Sequence, residues 1–312
     1  MRTLRRFSAT AALICGGLVL AAPNDFRIQL LGNPNDPATG SLANANFKAF
    51  TKEFGAALTS MNLAPPSTLG HSGFAVAAEL SVVSLKGYTP GDTALPTPSF
   101  HMPTESNYRG PTLLPSIHVR KGLPWSIEVG TRVGWIDRSN MSVATFEAKW
   151  AGNEGFAFLP DLAVRFHATR LFNTRGFELG AGGLDFSVGK KWAVGGMITL
   201  TPYGGWDLVF VGASNKGLVD FQPNRTEAQG YSSQYAQLQG SGSYQEIILM
   251  QNAHNRFYAG CRFVGGVIQI IAEVSAAGLG SFEIPNPANP SVVQKFDLPP
   301  VLGFNTAIGL DF

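Results

Sequence analysis

From Phe74 to the end of the chain, apolar and polar residues alternate with a period of two, in short runs separated by turn-rich stretches. The first run carries Phe74, Val76, Ala78, Leu80 and Val82 on one face and Glu79 and Ser81 on the other. A second sets Ile117 and Val119 against Ser116, His118 and Arg120. A third sets Trp125, Ile127, Val129, Val133 and Trp135 against Glu128 and Arg132, and a fourth sets Ala144, Phe146, Ala148 and Trp150 against Thr145, Glu147 and Lys149. The fifth pairs Leu162, Val164, Phe166 and Ala168 with Asp161, Ala163, Arg165 and His167, and the sixth has Leu184, Phe186 and Val188 opposite Asp185 and Ser187. A seventh, about 195–211, presents Trp206, Leu208 and Phe210, and Pro202 within it predicts a bulge. The eighth sets Phe257, Ala259, Cys261 and Phe263 against Arg256, Tyr258 and Arg262. The ninth sets Ile268, Ile270, Ala272 and Val274 against Gln269 and Glu273, and the tenth alternates Phe304, Thr306, Ile308, Leu310 and Phe312 with Asn305, Ala307, Gly309 and Asp311.

The residues before this run behave differently. Arg2, Arg5 and Arg6 precede an apolar stretch from Ala9 to Leu20 that ends in small residues, which predicts a signal peptide over 1–21 cleaved after Ala21. Cys15 follows Ile14 rather than a small residue, which argues against a lipid anchor. The segment 22–72 is set apart as a periplasmic or plug segment, ahead of a barrel over 73–312. Within it Phe47, Phe50, Phe54, Leu58 and Met61 recur at helical spacing, with Lys48, Lys52 and Glu53 on other faces, predicting one amphipathic helix over about 45–61. It is expected either inside the barrel as a plug or against its periplasmic mouth as a cap.

With 36 Gly, 20 Pro and 14% charged residues the chain is rich in turns, and no apolar run outside the predicted signal reaches the ~18 residues a membrane helix needs. A closed barrel, in which every backbone amide pairs with a neighbouring strand, is the remaining way across a bilayer. The lateral apolar faces would otherwise need a second layer of sequence that is not there. Trp125 and Trp135, ten residues apart on one face, would be separated by about 25 Å at ~3.3 Å per residue and a tilt of ~40°, close to the height of an apolar belt. Trp150 and Trp192 fall beside turns, where an aromatic girdle belongs. The fold class is therefore all-β: an antiparallel transmembrane barrel of about ten strands, within a range of about 8 to 14.

The alternating last strand, with Ile308, Leu310 and a terminal Phe312, resembles the C-terminal assembly signal of Gram-negative outer-membrane barrels. The resemblance implies an outer-membrane location, contact with lipid and lipopolysaccharide, and recognition by the barrel-assembly machinery.

An apolar outside places Glu79, His118, Arg120, Glu128, Arg132, Glu147, Lys149, Asp161, Arg165, His167, Asp185, Asp207, Arg256, Arg262, Glu273 and Asp311 in the lumen. Mixed signs in a narrow lumen predict a paired network or a narrow polar path. A net charge of +2 implies no polyanionic partner, and no nucleic-acid motif is present. Gly70-His71-Ser72-Gly73-Phe74 misses the last glycine of a nucleophile elbow, Val188-Gly189-Lys190-Lys191 is not a phosphate loop, and the five histidines lack metal spacing. Asn224-Arg225-Thr226 matches a glycosylation sequon that an outer-membrane context makes uninformative. Neither a cofactor nor enzymatic activity is expected. The leading expectation is a narrow transport barrel for small polar or amphipathic solutes. The alternative is an electrically silent structural or surface-interaction barrel working through its loops, with a membrane-embedded hydrolase behind both.

Overall fold

The computed structural model describes residues 22–312 except 37–39, 60, 86–102, 105–109, 157, 196–197, 216–218, 221–240 and 287–288. The predicted signal peptide, His101 and the Asn224 sequon lie outside the described residues. Ten long strands follow in order: β1 Phe74–Ser84, β2 Thr112–Leu123, β3 Ile127–Trp135, β4 Ser142–Asn153, β5 Asp161–Phe172, β6 Phe177–Gly189, β7 Ile198–Asn215, β8 Ala253–Gly265, β9 Ile268–Gly278 and β10 Val301–Asp311. Each pairs antiparallel with its sequence neighbour, and β10 returns to β1 with Ala78 opposite Ile308. The sheet is thus closed, and no long strand keeps a free edge.

The alternation sets which side each residue faces. Leu80, Ile117, Trp135, Phe146, Trp150, Phe166, Phe186, Phe257, Ile270 and Phe304 are exposed on the outer wall, while their sequence neighbours are buried. Trp125 departs from its expected place. It stands in the β2–β3 turn with φ 63°, beside Ser126 at φ 57°, so the face of β3 begins only at Ile127. Pro202 does not bulge β7: the register to β8 runs unbroken from Ala253↔Phe210 to Gly265↔Ile198. The reason is local. The Pro202 carbonyl accepts from the Lys190 amide in the gap between the end of β6 at Gly189 and the short strand that starts at Trp192, so the missing N–H removes no bond from either ladder. The irregularity lies between β4 and β5, at Ala151/Asn153.

The turns β2–β3, β4–β5, β6–β7 and β8–β9 gather at one end with the start of β1 and the end of β10; β6–β7 holds a three-residue strand, Trp192–Val194, on β7. The longer connections lie at the other end. There, Val219–Asp220 pairs with Ser241–Gly242, and Ser281–Asn286 pairs with Asn289–Asp297 in a stretch whose proline and asparagine content reads as plain loop.

The N-terminal segment enters from the long-loop end. Its helix α1, Gly40–Leu58, starts earlier than the apolar spacing suggests and stops before Met61. Ser41, Asn44, Lys48 and Lys52 form an exposed or half-buried stripe, while the rest of the helix apart from Leu42 is buried, Glu53 included, so the amphipathic helix lies largely enclosed by the barrel. Phe26, Phe50, Phe54 and the β6 residue Phe177 form an aromatic cluster with ring centroids 4.6–6.0 Å apart. Phe47, Phe50 and Phe54 are fully enclosed, each contributing about 1.5–3 kcal/mol by burial. Inward residues at this level, such as Leu114, Val143, Leu179, Val209 and Val211, are apolar, whereas those nearer the short-turn end are charged. From Thr59 the chain runs through the charged half, turns at Gly70–Gly73 beside Gly122 and enters β1.

Candidate functional site: the charged lumen and its plug

Because strands present every second residue inward, charges from neighbouring strands meet across the lumen. Glu79 on β1 lies 2.7 Å from His118 Nδ1 on β2, and His118 Nε2 lies 2.9 Å from Glu147 on β4. Arg132 also pairs with Glu79. Arg165 on β5 links Glu147 at 2.8 Å to Asp185 on β6 at 3.3 Å. Asp185 accepts from Tyr258 at 2.8 Å, and Asp207 on β7 joins Arg256 at 2.6 Å to His167 at 3.0 Å. A second group lies toward the short-turn end, where Glu128 meets Lys149 at 2.9 Å and Arg120 at 3.3 Å. Gln269 accepts from Arg120 and Arg262, and Arg262 pairs with Asp311. Every predicted lumen residue is buried apart from Asp311, which is partly exposed, and Asp161 bonds its own turn at Gly155 rather than a cation. Gly183 makes room for part of this: a Cβ there would stand 2.6 Å from His167 Nε2 and 2.7 Å from the Leu208 carbonyl.

The same charges hold the threaded chain. Glu273 accepts from the Asn62 amide at 3.0 Å and the Leu63 amide at 2.9 Å, and also from Tyr203 and Asn305. Arg256 donates to the Thr59 carbonyl, and Arg132 to that of Asn62 at 3.2 Å. Lys149 donates to Pro65 at 3.0 Å and Ser67 at 3.1 Å, and Glu128 accepts from the Leu69 amide at 3.0 Å. A backbone running through a lumen has no sheet partner, so these side chains satisfy polar groups that burial would otherwise penalise.

At the long-loop end the residues before α1 tie separate loops together. Asp25 accepts from the Asn140 amide and side chain, both at 2.8 Å, and Asn24 donates to the Asp137 carbonyl at 2.7 Å. The Arg27 amide donates to Pro103, and the Tyr244 hydroxyl, which burial pushes to a higher pKa, donates at 2.7 Å to Ile28 and to Gly32. Burial pushes the Asp25 carboxyl up, but the amides of Asn140 and Ala22 outweigh it and hold its pKa below the ordinary value of 3.8. At the other end a cavity of about 700 Å³ opens against Ser67–Gly70, with Lys190, Lys191, Glu154 and Arg262 in its wall.

An apolar outer wall around a charged interior inverts the arrangement of a soluble protein. The molecule is a barrel of the outer-membrane type. No protein-family model and no curated protein matches the chain. Solved structures do. OprG from Pseudomonas aeruginosa matches at 12% identity over 78% of this chain and 98% of that one, with a TM-score of 0.32. The outer-membrane protease OmpT from Escherichia coli matches at 8% identity over 82% and 99%, with a TM-score of 0.34. Ail, the attachment invasion locus protein of Yersinia pestis, matches at 12% identity over 78% and 99%, with a TM-score of 0.25.

Two His–carboxylate pairs, His118 with Glu79 and Glu147 and His167 with Asp207, lie deep in the lumen rather than at a rim. The serine beside the first, Ser116, bonds Glu79 at 3.2 Å and not the imidazole, so no nucleophile–base pair forms there. The backbone clamps on 59–69 could not be read from sequence, since they join a carboxylate to amides about 210 positions away. Pro65 and Pro66 after the helix are the one sequence signal that this stretch is extended.

Proposed function

We propose that the protein sits in the outer membrane of a Gram-negative cell, long loops outward, as a narrow conduit for small solutes held closed at rest by its own N-terminal segment. The observation that carries this reading is the clamp on residues 59–69. Apart from Met61 and Leu63, which pack against the apolar cluster, the charged half of the lumen holds that chain by separate hydrogen bonds from wall side chains to its backbone, so it can be released without breaking a strand ladder. The cavity at the short-turn end brings water up to the same segment. No catalytic step is part of the proposal. The ties between residues 22–32 and the outer loops favour a second reading, an electrically silent barrel acting through those loops.

A disulfide staple separates the two. A Cβ on Gly55 of α1 would stand 3.1 Å from Val211 Cβ on β7, so paired cysteines at these positions need only a small shift to bond. In a Cys261→Ala background, planar-bilayer recordings of Gly55→Cys/Val211→Cys should show no current when oxidised and discrete steps after reduction. Silence in both states from a barrel shown to be folded overturns the conduit and supports the second reading.

A further inference from the structure

At the short-turn end one edge of the sheet stays open. The short strand Trp192–Val194 pairs on one side with Ile198–Leu200 at the foot of β7, and among the described residues nothing pairs with its other side. Its register continues that of β6: Gly189 stands opposite Tyr203, the Lys190 amide donates to the Pro202 carbonyl, and Trp192 stands opposite Leu200. Even-numbered residues therefore bond toward β7, and the N–H and C=O of Lys191 and Ala193 point the other way. Along β6 the odd-numbered groups meet β5, but β5 begins only at Asp161, opposite Gly189. Past that point the main-chain groups of Ala193 have no partner among the described residues.

Where β5 would continue stands the β4–β5 turn, and it leaves the edge uncovered. Lys190 Nζ donates to the carbonyls of Phe156 and Leu159, the Asn153 side chain donates to that of Pro160 at 2.7 Å, and the Gly155 amide donates to Asp161 at 3.1 Å. The turn so held presents apolar side chains: Phe158 is 99% exposed, and Phe156 and Leu159 are exposed too. The cavity of about 700 Å³ is bounded by Phe156 on the turn and by Lys191 and Ala193 on the edge, while Trp192 and Val194 are exposed outside it. The other basic groups in its wall are engaged, Arg262 by Asp311 and Lys190 by the turn, and Glu154 is bound to Thr68 at 2.7 Å. Lys191 has no ion pair or hydrogen bond among the described residues. An edge left uncovered in this way recruits a further strand.

We propose that this edge receives an extended peptide segment of a periplasmic partner, which adds a strand beside Trp192–Val194. An added strand alternates in facing as its neighbour does, so its inward side chains meet Lys191 and its outward ones meet Trp192, Val194 and Phe158. The segment is therefore acidic at every second position and apolar between. In the cavity it lies against Thr68 of the threaded chain, the point of the closed lumen that the short-turn mouth reaches. The proposal rests on the conduit reading only for the side of the membrane on which the short turns stand.

The test is fluorescence anisotropy of a short fluorescein-labelled peptide of alternating valine and glutamate, titrated with the full mature chain in phosphatidylcholine nanodiscs, with empty nanodiscs as background. Saturable binding is expected, weakened about tenfold by Ala193→Pro, as for one lost main-chain hydrogen bond. The N–H that this proline removes points to the free edge, so the ladder to β7 keeps its bonds. Lys191→Gln should weaken this peptide and leave a valine–glutamine copy unchanged. A copy N-methylated at every residue should not bind, and it tests the same bonds on the native chain if the proline variant misfolds. Binding no greater than in empty nanodiscs, or equal binding of the N-methylated copy, overturns the proposal. Equal binding to Ala193→Pro overturns it too, and leaves Phe158 and Trp192 as a contact for lipid. Lys191→Cys in a Cys261→Ala background should resist a polyethylene glycol maleimide too large to cross the outer membrane of intact cells; labelling would refute the periplasmic side while binding in nanodiscs kept the edge. A barrel that binds the peptide and never conducts removes the conduit and keeps the site.

Discussion

Glu273→Gln is the sharpest probe of the clamp. One carboxylate oxygen takes the Asn62 amide at 3.0 Å and the Asn305 side chain at 3.2 Å, and the other takes the Leu63 amide at 2.9 Å and the Tyr203 hydroxyl at 2.9 Å. Gln keeps one acceptor and turns the other into a donor, so two of the four bonds are lost and two buried donors face an NH₂ group. A bond to a charged group contributes about 1.5–3 kcal/mol. Of the two bonds lost, one holds the threaded segment, through Asn62 or Leu63, and the other ends on a wall side chain, Asn305 or Tyr203. The strand ladders are untouched, so opening of the threaded segment becomes easier by about 1.5–3 kcal/mol without unfolding of the barrel. At 1.4 kcal/mol per tenfold, amide exchange at whichever of Asn62 and Leu63 loses its acceptor should speed up by about 10- to 100-fold. Hydrogen exchange by mass spectrometry on peptides covering 59–69 reads this directly, with β4 and β9 peptides as the unchanged reference. Exchange in 59–69 that accelerates less than tenfold, or that accelerates equally in β4, would refute the idea that Glu273 holds the plug independently of the wall.

Two further outcomes follow from the geometry. Phe146 faces outward near the middle of β4, so Phe146→Arg should lower barrel stability by about 2–4 kcal/mol while Phe146→Leu costs far less, measured by urea titration of folding into liposomes; equal costs would invert the assignment of faces. Asp25 has a folded pKa below its ordinary 3.8, so its contribution to the tie with Asn140 is complete above that value and is lost as the pH falls through the lower folded one; protease cleavage within 22–36 should rise on acidification in the native chain and be pH-independent in Asp25→Asn.

The period-two alternation by itself determined the barrel class, a count of about ten strands within 8 to 14 and the facing of most strand residues, because a pleated strand in a membrane must put its apolar row toward lipid. Arg165 and Phe166 could be separated in this way from their order alone. Some local features were misread for local reasons: Trp125 extends a pattern that a left-handed turn interrupts, and Pro202 lies where a neighbouring strand has already ended. Helical spacing found α1 and the open side at Lys48 and Lys52, but not that Glu53 would be buried, since the barrel closes round most of the helix. Which charge meets which depended on register between strands. Glu147 reaches both His118 and Arg165 only because β4 pairs Glu147 with His167 on one side and with Gly130 on the other. The path of the N-terminal chain was decided by tertiary structure alone. Its clamps join backbone groups, which carry no residue identity, to side chains far away in sequence, and only the closed wall brings the two together.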